Sequence, residues 1–161
     1  MKMMLEMFGA DSRFLLGNDF SEGMINIARA KLINSGTLFT TFDAAKINLA
    51  SSTVGTVFCS YTFNWLVDKK TVASEFKRIL VPEGTLIVVE EFPLLVNNSK
   101  YMTTDLKERI EWILKRTKLR GSLPELISIL ESAGLVFTEE MTKERIDREH
   151  EMYGLVFKRS A

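Results

Sequence analysis

The chain has one cysteine, one histidine and three prolines in 161 residues, and none of its nine glycines stands two positions from another. A single cysteine permits no internal disulfide and no thiolate zinc site, which suits a reducing compartment. Cys59 lies in an apolar run, where it reads as a small buried hydrophobe rather than a reactive thiol. The lone histidine, His150, sits in a charged stretch and gives a metal centre or a histidine-assisted nucleophile little to build on. No GxG occurs, so a glycine-rich phosphate cradle is missing. No apolar run approaches the roughly 18 residues of a membrane span, and the N-terminus lacks a signal-peptide pattern, so a cytoplasmic protein without a membrane segment is expected. An excess of either charge is lacking too: Lys+Arg and Asp+Glu both number 21, which argues against nucleic-acid binding through bulk charge. Repeats and low-complexity tracts are absent.

What is present reads as one domain over residues 1–161. Hydrophobic residues make up 46% and charged residues 26%, enough for a chain of this length to bury roughly two thirds of its unfolded surface. Residues 56–91 organise the rest. Val57, Phe58 and Cys59 with Tyr61 and Phe63 form a short apolar run, and Leu86, Ile87, Val88 and Val89 a continuous one, the pattern of strands buried on both faces. Between them Val72, Phe76, Ile79 and Leu80 recur at helical spacing, and Pro82 and Gly84 are expected to stop the helix. Strand, helix and strand at this spacing predict a right-handed parallel βαβ unit. Ligands of such sheets bind beyond the carboxyl ends of the strands, which puts Ser60, Tyr61, Thr62, Glu90 and Glu91 on the functional edge.

On either side the pattern continues. Residues 3–8 read as the last turns of a helix and residues 13–18 as a strand with Asp19 at its carboxyl end. Ser21 can cap a helix whose stripe is Met24, Ile27, Ala28 and Leu32. Residues 37–41 form a short β-prone run ending near Asp43, and residues 46–55 a polar loop. Beyond a loop at 92–100 come two helices, one with the stripe Leu106, Ile110, Ile113 and Leu114. The other has Leu123, Leu126, Ile127 and Leu130, with Ser122 as its cap and Pro124 in its first turn. Residues 135–141 and 152–158 read as a closing pair of strands, and the charged stretch 142–151 between them as a loop. Lys115, Arg116, Lys118 and Arg120 make a basic cluster that reads as a solvated helix end.

Four stretches together resemble the class I S-adenosylmethionine-dependent methyltransferases, especially the small-molecule type that includes ubiquinone and menaquinone methyltransferases: GNDFSEGMINIARAKL (17–32), FDAA (42–45), VFCSYTFNWL (57–66) and FKRILVPEGTLIVVEEFP (76–93). LPELISILESAGL is similar to the helix before that family's final antiparallel hairpin. The resemblance implies an α/β, Rossmann-like three-layer sandwich with a mostly parallel sheet of about six strands and a C-terminal antiparallel hairpin. It implies S-adenosylmethionine as cofactor and methyl transfer to a small-molecule acceptor; from the charge balance and hydropathy above, neither nucleic acid nor membrane is expected as partner.

By this resemblance Asp19 would take the ribose hydroxyls, as acidic residues at strand ends do in dinucleotide folds. Phe20 would lie against the adenine, Asp43 would accept from its amino group, and Ala44 would offer backbone. Ser60 and Tyr61 would flank the methyl group and the acceptor, and Trp65 would either wall the acceptor pocket or pack as core. Asp19 and Asp43 have plainer readings as a helix-capping and a turn aspartate. Glu90 and Glu91, adjacent on one strand, point to opposite faces and form no paired-carboxylate acid/base site. No residue stands out as a general base.

The chain departs from the family where the first, central strand runs into a glycine-rich loop holding the cofactor's amino-acid end. The expectation is therefore an N-terminally shortened domain with that strand missing, whose neighbours, ending at Asp19 and Ser60, either pair directly or accept a strand exchanged in a homodimer. A non-catalytic domain serving as a partner or oligomerisation subunit is the alternative function.

Overall fold

A computed structural model describes residues 15–33, 36–93, 121–145 and 150–160. The chain divides into two compact units, Met1–Asn48 and Leu49–Ala161. The expected segments at 3–8 and 106–114 and the basic cluster at 115–120 lie outside the described residues.

In the first unit β1 (Leu16–Asn18) and β2 (Leu38–Thr40) pair in parallel, Leu16 with Leu38 and Asn18 with Thr40. Helix α1 (Glu22–Lys31) connects them, its start fixed by the Ser21 side chain accepting from Met24 N. Ile25 is its one buried residue, whereas Met24 and Ile27, expected in the core stripe, are 53% and 51% exposed. The inward direction runs through Ile25, Ala28 and Leu32; the last two belong to the expected stripe, and Ile25 takes the place of Met24 and Ile27.

The second unit holds a four-stranded sheet in the order β3-β4-β6-β5. Strand β3 (Val54–Ser60) leads through a 3-10 turn (Phe63–Trp65) to α2 (Lys69–Ile79) and then β4 (Leu80–Pro93). Helix α3 (Leu123–Ser132) precedes β5 (Leu135–Arg145) and β6 (His150–Arg159). β3 and β4 are parallel, while β6 runs against both β4 and β5. Three strands therefore share a direction and β6 alone is reversed between two of them. Having neighbours on both sides, β6 buries Leu155, Val156 and Phe157 in succession.

Three expectations change. Helix α2 ends at Ile79, and Leu80 already pairs with Val54. Pro82 and Gly84 lie inside β4, in a bulge between the pairs Val54 with Leu80 and Thr56 with Thr85. Glu83 there has φ 62°, and a Cβ on Gly84 would come within 2.7 Å of the Val81 carbonyl, so the bulge needs glycine. On β4, Leu86, Val88, Glu90 and Phe92 are buried while the alternate residues Ile87 and Val89 are intermediate, so the strand is not fully buried on both faces. Lastly, residues 142–145 and 150–151 of the charged stretch are strand rather than loop. Cross-strand polar pairing extends the ladder there: Lys143 Nζ lies 3.4 Å from Glu151 and 5.2 Å from the Tyr153 ring centroid, and Tyr153 donates to Glu151 at 2.6 Å.

Among the described residues β1 and β3, the strands that end at Asp19 and Ser60, belong to separate ladders, paired with β2 and β4. The last carbonyls of α2 are met instead by the preceding loop, Ser52 N donating to Arg78 O and Thr53 N to Ile79 O. Arg159 also donates to Leu80 O and to Ser52 Oγ, tying the end of β6 to the same corner.

Helix α3 packs on α2 and β5 through Leu126 and Leu130, the latter fully buried. Leu130→Ala should lower unfolding free energy by about 2–5 kcal/mol, measured by urea titration. The exposed Val136→Ala should change it by under about 0.5 kcal/mol.

Candidate functional site

The carboxyl ends of β1 and β2 form a laced rim. Thr40 donates to Asn18 Oδ1 at 3.0 Å, Asn18 Nδ2 to Phe42 O at 3.0 Å, and Asp19 N to Thr40 O at 3.3 Å. Asp19 and Phe20 follow β1, and Asp43 and Ala44 follow β2, so the structure brings these four predicted residues to one rim. Each aspartate spends an oxygen locally: Asp19 Oδ1 accepts from Ser21 N at 2.8 Å and Asp43 Oδ1 from Ala45 N at 2.8 Å. The plainer readings of both residues are therefore realised, and both carboxylates remain exposed. Phe20 is 80% exposed.

The rim of β3 and β4 is built differently. Ser60 pairs with Val89, and Tyr61 N donates to Val89 O at 2.8 Å as the chain leaves the sheet. Tyr61 takes φ 49°, a left-handed conformation costly for a side chain of its size. The turn beyond it is clamped from β4. Glu90 is 2% exposed, and its Oε1 accepts from Thr62 N at 2.8 Å and Asn64 N at 3.2 Å. Asn64 Nδ2 donates to Glu91 O at 3.3 Å, and Phe63, fully buried, meets the Phe76 ring at 6.4 Å. The Tyr61 hydroxyl donates to Met152 Sδ at 2.9 Å, fixing the ring across the sheet end.

These contacts border a cavity of about 200 Å³ lined by Tyr61, Asn64, Trp65, Glu90 and Glu91. Trp65 is 59% exposed and so is a wall rather than core. Glu90 and Glu91 do alternate, one buried and one half-buried, yet both reach this cavity. Asn64 and the clamping role of Glu90 were missed in the sequence; the one available signal was a glutamate in phase with the core residues Leu86 and Val88. Burial pushes the neighbouring Cys59 thiol up to about 12 from 9.0, the Glu90 charge adding to the effect and a Phe63 backbone hydrogen bond opposing it.

Parallel strands joined through helices, acidic and aromatic residues at their carboxyl ends and a reversed strand in a C-terminal hairpin define a Rossmann-like α/β domain of the methyltransferase kind. The family model for the methyltransferase domain matches residues 3–88, and the chain belongs to that family, the type 11 class I S-adenosylmethionine-dependent methyltransferases. No curated protein matches it in sequence.

Solved structures share the fold. A SAM-dependent methyltransferase from Methanosarcina mazei is similar at 16% identity and a TM-score of 0.75, over 98% of this chain and 86% of that one. Phosphoethanolamine N-methyltransferase 2 of Haemonchus contortus, solved with S-adenosyl-L-methionine, aligns at 14% identity and 0.69, over 92% of this chain and 44% of its own. The [4+2]-cyclase SpnF aligns at 12% and 0.67, over 91% and 66%. A cyclase among them shows that the shared fold does not by itself fix the reaction.

Two outcomes check the geometry of the β3–β4 rim. Glu90→Ala should destabilise the protein by about 3 kcal/mol and speed hydrogen exchange at the Thr62 and Asn64 amides, while Glu90→Gln, which keeps an acceptor, should do less of both. Cys59, protonated in the folded state until about pH 12, should resist a disulfide thiol reagent at pH 8 and react once urea unfolds the chain. Because the folded thiol holds its proton more tightly, its contribution to stability is complete below pH 9 and is lost as pH rises towards 12.

Proposed function

We propose that this chain binds S-adenosylmethionine and takes part in methyl transfer to a small-molecule acceptor. The family match is the observation that carries this reading. In the described residues it meets a chemically suitable surface. Asp19 and Asp43 are exposed carboxylates at strand ends, each with one oxygen engaged by its own turn, and Phe20 leaves a ring open beside Asp19.

These residues fit a nucleoside. Asp19 would accept from the ribose hydroxyls, Phe20 would stack on the base, and Asp43 with Ala44 would read its polar edge. Ser60 and Tyr61 would border the methyl side. When bound, the cofactor supplies an electrophilic methyl group on a sulfonium. The protein's contribution is to hold an acceptor in line with it and to exclude water. The reading includes a cytoplasmic location and allows a homodimer.

One observation favours a second reading, a non-catalytic partner subunit: the sequence has no GxG to receive the charged amino-acid end of the cofactor. Calorimetric titration with S-adenosylhomocysteine separates the two. Saturable binding is expected, with Asp19→Ala weakening it about 10- to 100-fold, the equivalent of losing a hydrogen-bond pair to a charged group. Absence of heat at millimolar ligand would leave the partner-subunit reading.

A further inference from the structure

Tyr61, with φ 49°, has an anchor at each end. Its N–H donates to Val89 O at 2.8 Å, and its hydroxyl donates to Met152 Sδ at 2.9 Å. The second anchor is the unusual one. A thioether is a weak acceptor, and this one belongs to β6, which lies on the far side of β4 from β3, so the bond reaches across a whole strand, a span on the order of 10 Å between the outer two. Met152 pairs with Glu91 on one side and Glu144 on the other. It is half-buried, so small solutes reach the residue.

Sulfur in that position has a chemistry that an oxygen or nitrogen acceptor lacks. A lone pair of Sδ attacks one oxygen of a hydroperoxide, an S–O bond forms as the O–O bond breaks, and the other oxygen departs as water or an alcohol. The methionine is oxidised to its sulfoxide, the peroxide is reduced, and no net proton is taken up or released. The product cannot keep the present contact. If the oxygen adds at the lone pair that Tyr61 faces, the hydroxyl must retreat by about a bond length to meet a much stronger acceptor. If it adds at the other lone pair, the sulfur becomes electron-poor and loses its hold on the hydroxyl. Either way the ring is displaced, and the turn that Tyr61 begins, with Thr62 N and Asn64 N on Glu90, is next to feel it.

Met24 and Met141 supply the contrast. They are more exposed, at 53% and 56%, but among the described residues neither sulfur accepts a hydrogen bond, so oxidation there breaks no such contact.

We propose that Met152 is a modification site for hydroperoxides, at which conversion to the sulfoxide releases Tyr61 and loosens the β3–β4 rim. A consequence for the methyl side of the site rests on the methyl-transfer reading, in which Tyr61 borders it. The oxidation and the movement of Tyr61 rest on the contact with Met152 alone.

The test treats the full chain with hydrogen peroxide, locates the added oxygen by peptide mass spectrometry and follows amide hydrogen exchange. The expected result is sulfoxide at Met152 in the folded chain, with exchange at Tyr61, Thr62 and Asn64 severalfold faster and restored by methionine sulfoxide reductase. Met152→Leu should abolish the response to peroxide. Tyr61→Phe, which keeps the ring and removes the hydroxyl, should leave Met152 oxidisable and abolish the response as well. Met152 unmodified in folded chains whose Met24 and Met141 have been oxidised, or Met152 sulfoxide with unchanged exchange, would overturn the proposal. Calorimetry with S-adenosylhomocysteine on the same samples keeps the two readings apart. A peroxide response in a chain that binds no ligand would support the modification site and count against methyl transfer, whereas ligand binding by a chain without the response would sink this inference and leave the methyl-transfer reading intact.

Discussion

A carboxylate at a core position of β4 determines how the chain leaves β3. Parallel strands end with backbone groups that the ladder no longer satisfies, and here two of the next N–H groups turn towards β4. Glu90 stands one residue beyond Val89, the partner of Ser60, in phase with Leu86, Val88 and Phe92, and receives two of those donors. An unpaired carboxylate at that depth would cost several kcal/mol, and so would the orphaned amides. Together they offset each other. The left-handed Tyr61, the inward Phe63 and the outward Trp65 follow from this exchange, and so does the electrostatic part of the suppressed acidity of Cys59.

Much of the fold was legible because it depends on local rules. Ser21 and Ser122 were visible as caps, and both accept from the backbone N–H three residues on. The stripe Val72, Phe76 and Ile79 is buried as its spacing predicts. Where the reading failed, a nonlocal contact had intervened. The stretch 142–151 looked too charged for a strand, yet Lys143, Glu151 and Tyr153 satisfy one another across two strands. Pro82 and Gly84 looked like helix terminators, but the preceding loop had already closed α2 through Ser52 and Thr53, leaving them to form a bulge. Periodicity cannot show which of several breakers acts first, or which charge finds a partner.

The site was legible in part for the same reason. Acidic residues at strand ends can be picked out along the chain, and Asp19 and Asp43 do stand beyond adjacent parallel strands on one rim. Glu90 could be seen to point opposite to Glu91, but its role could not, since its partners Thr62 and Asn64 are 28 and 26 residues away. A buried acid reads as an error in a hydrophobic pattern until the turn that requires it is known.

For Asp19 and Asp43 the structural and functional readings are not rivals. A carboxylate has two oxygens and about four acceptor sites, and the turn N–H groups of Ser21 and Ala45 occupy one oxygen in each case. That bond removes rotational freedom from the carboxylate. A residue held in this way would lose less entropy on accepting from a ligand than a free one, so the turn that makes each aspartate look ordinary is compatible with recognition. The distinction between a binding domain and an inert relative then lies less in these two residues than in what receives the charged end of the cofactor, where the sequence offers no clustered glycines. A ribose or adenine contact made from a strand end would not need such a cradle, because the strand end is fixed by its own sheet. A cradle formed by backbone approach has no side chain to preserve it and depends wholly on the loop that carries it.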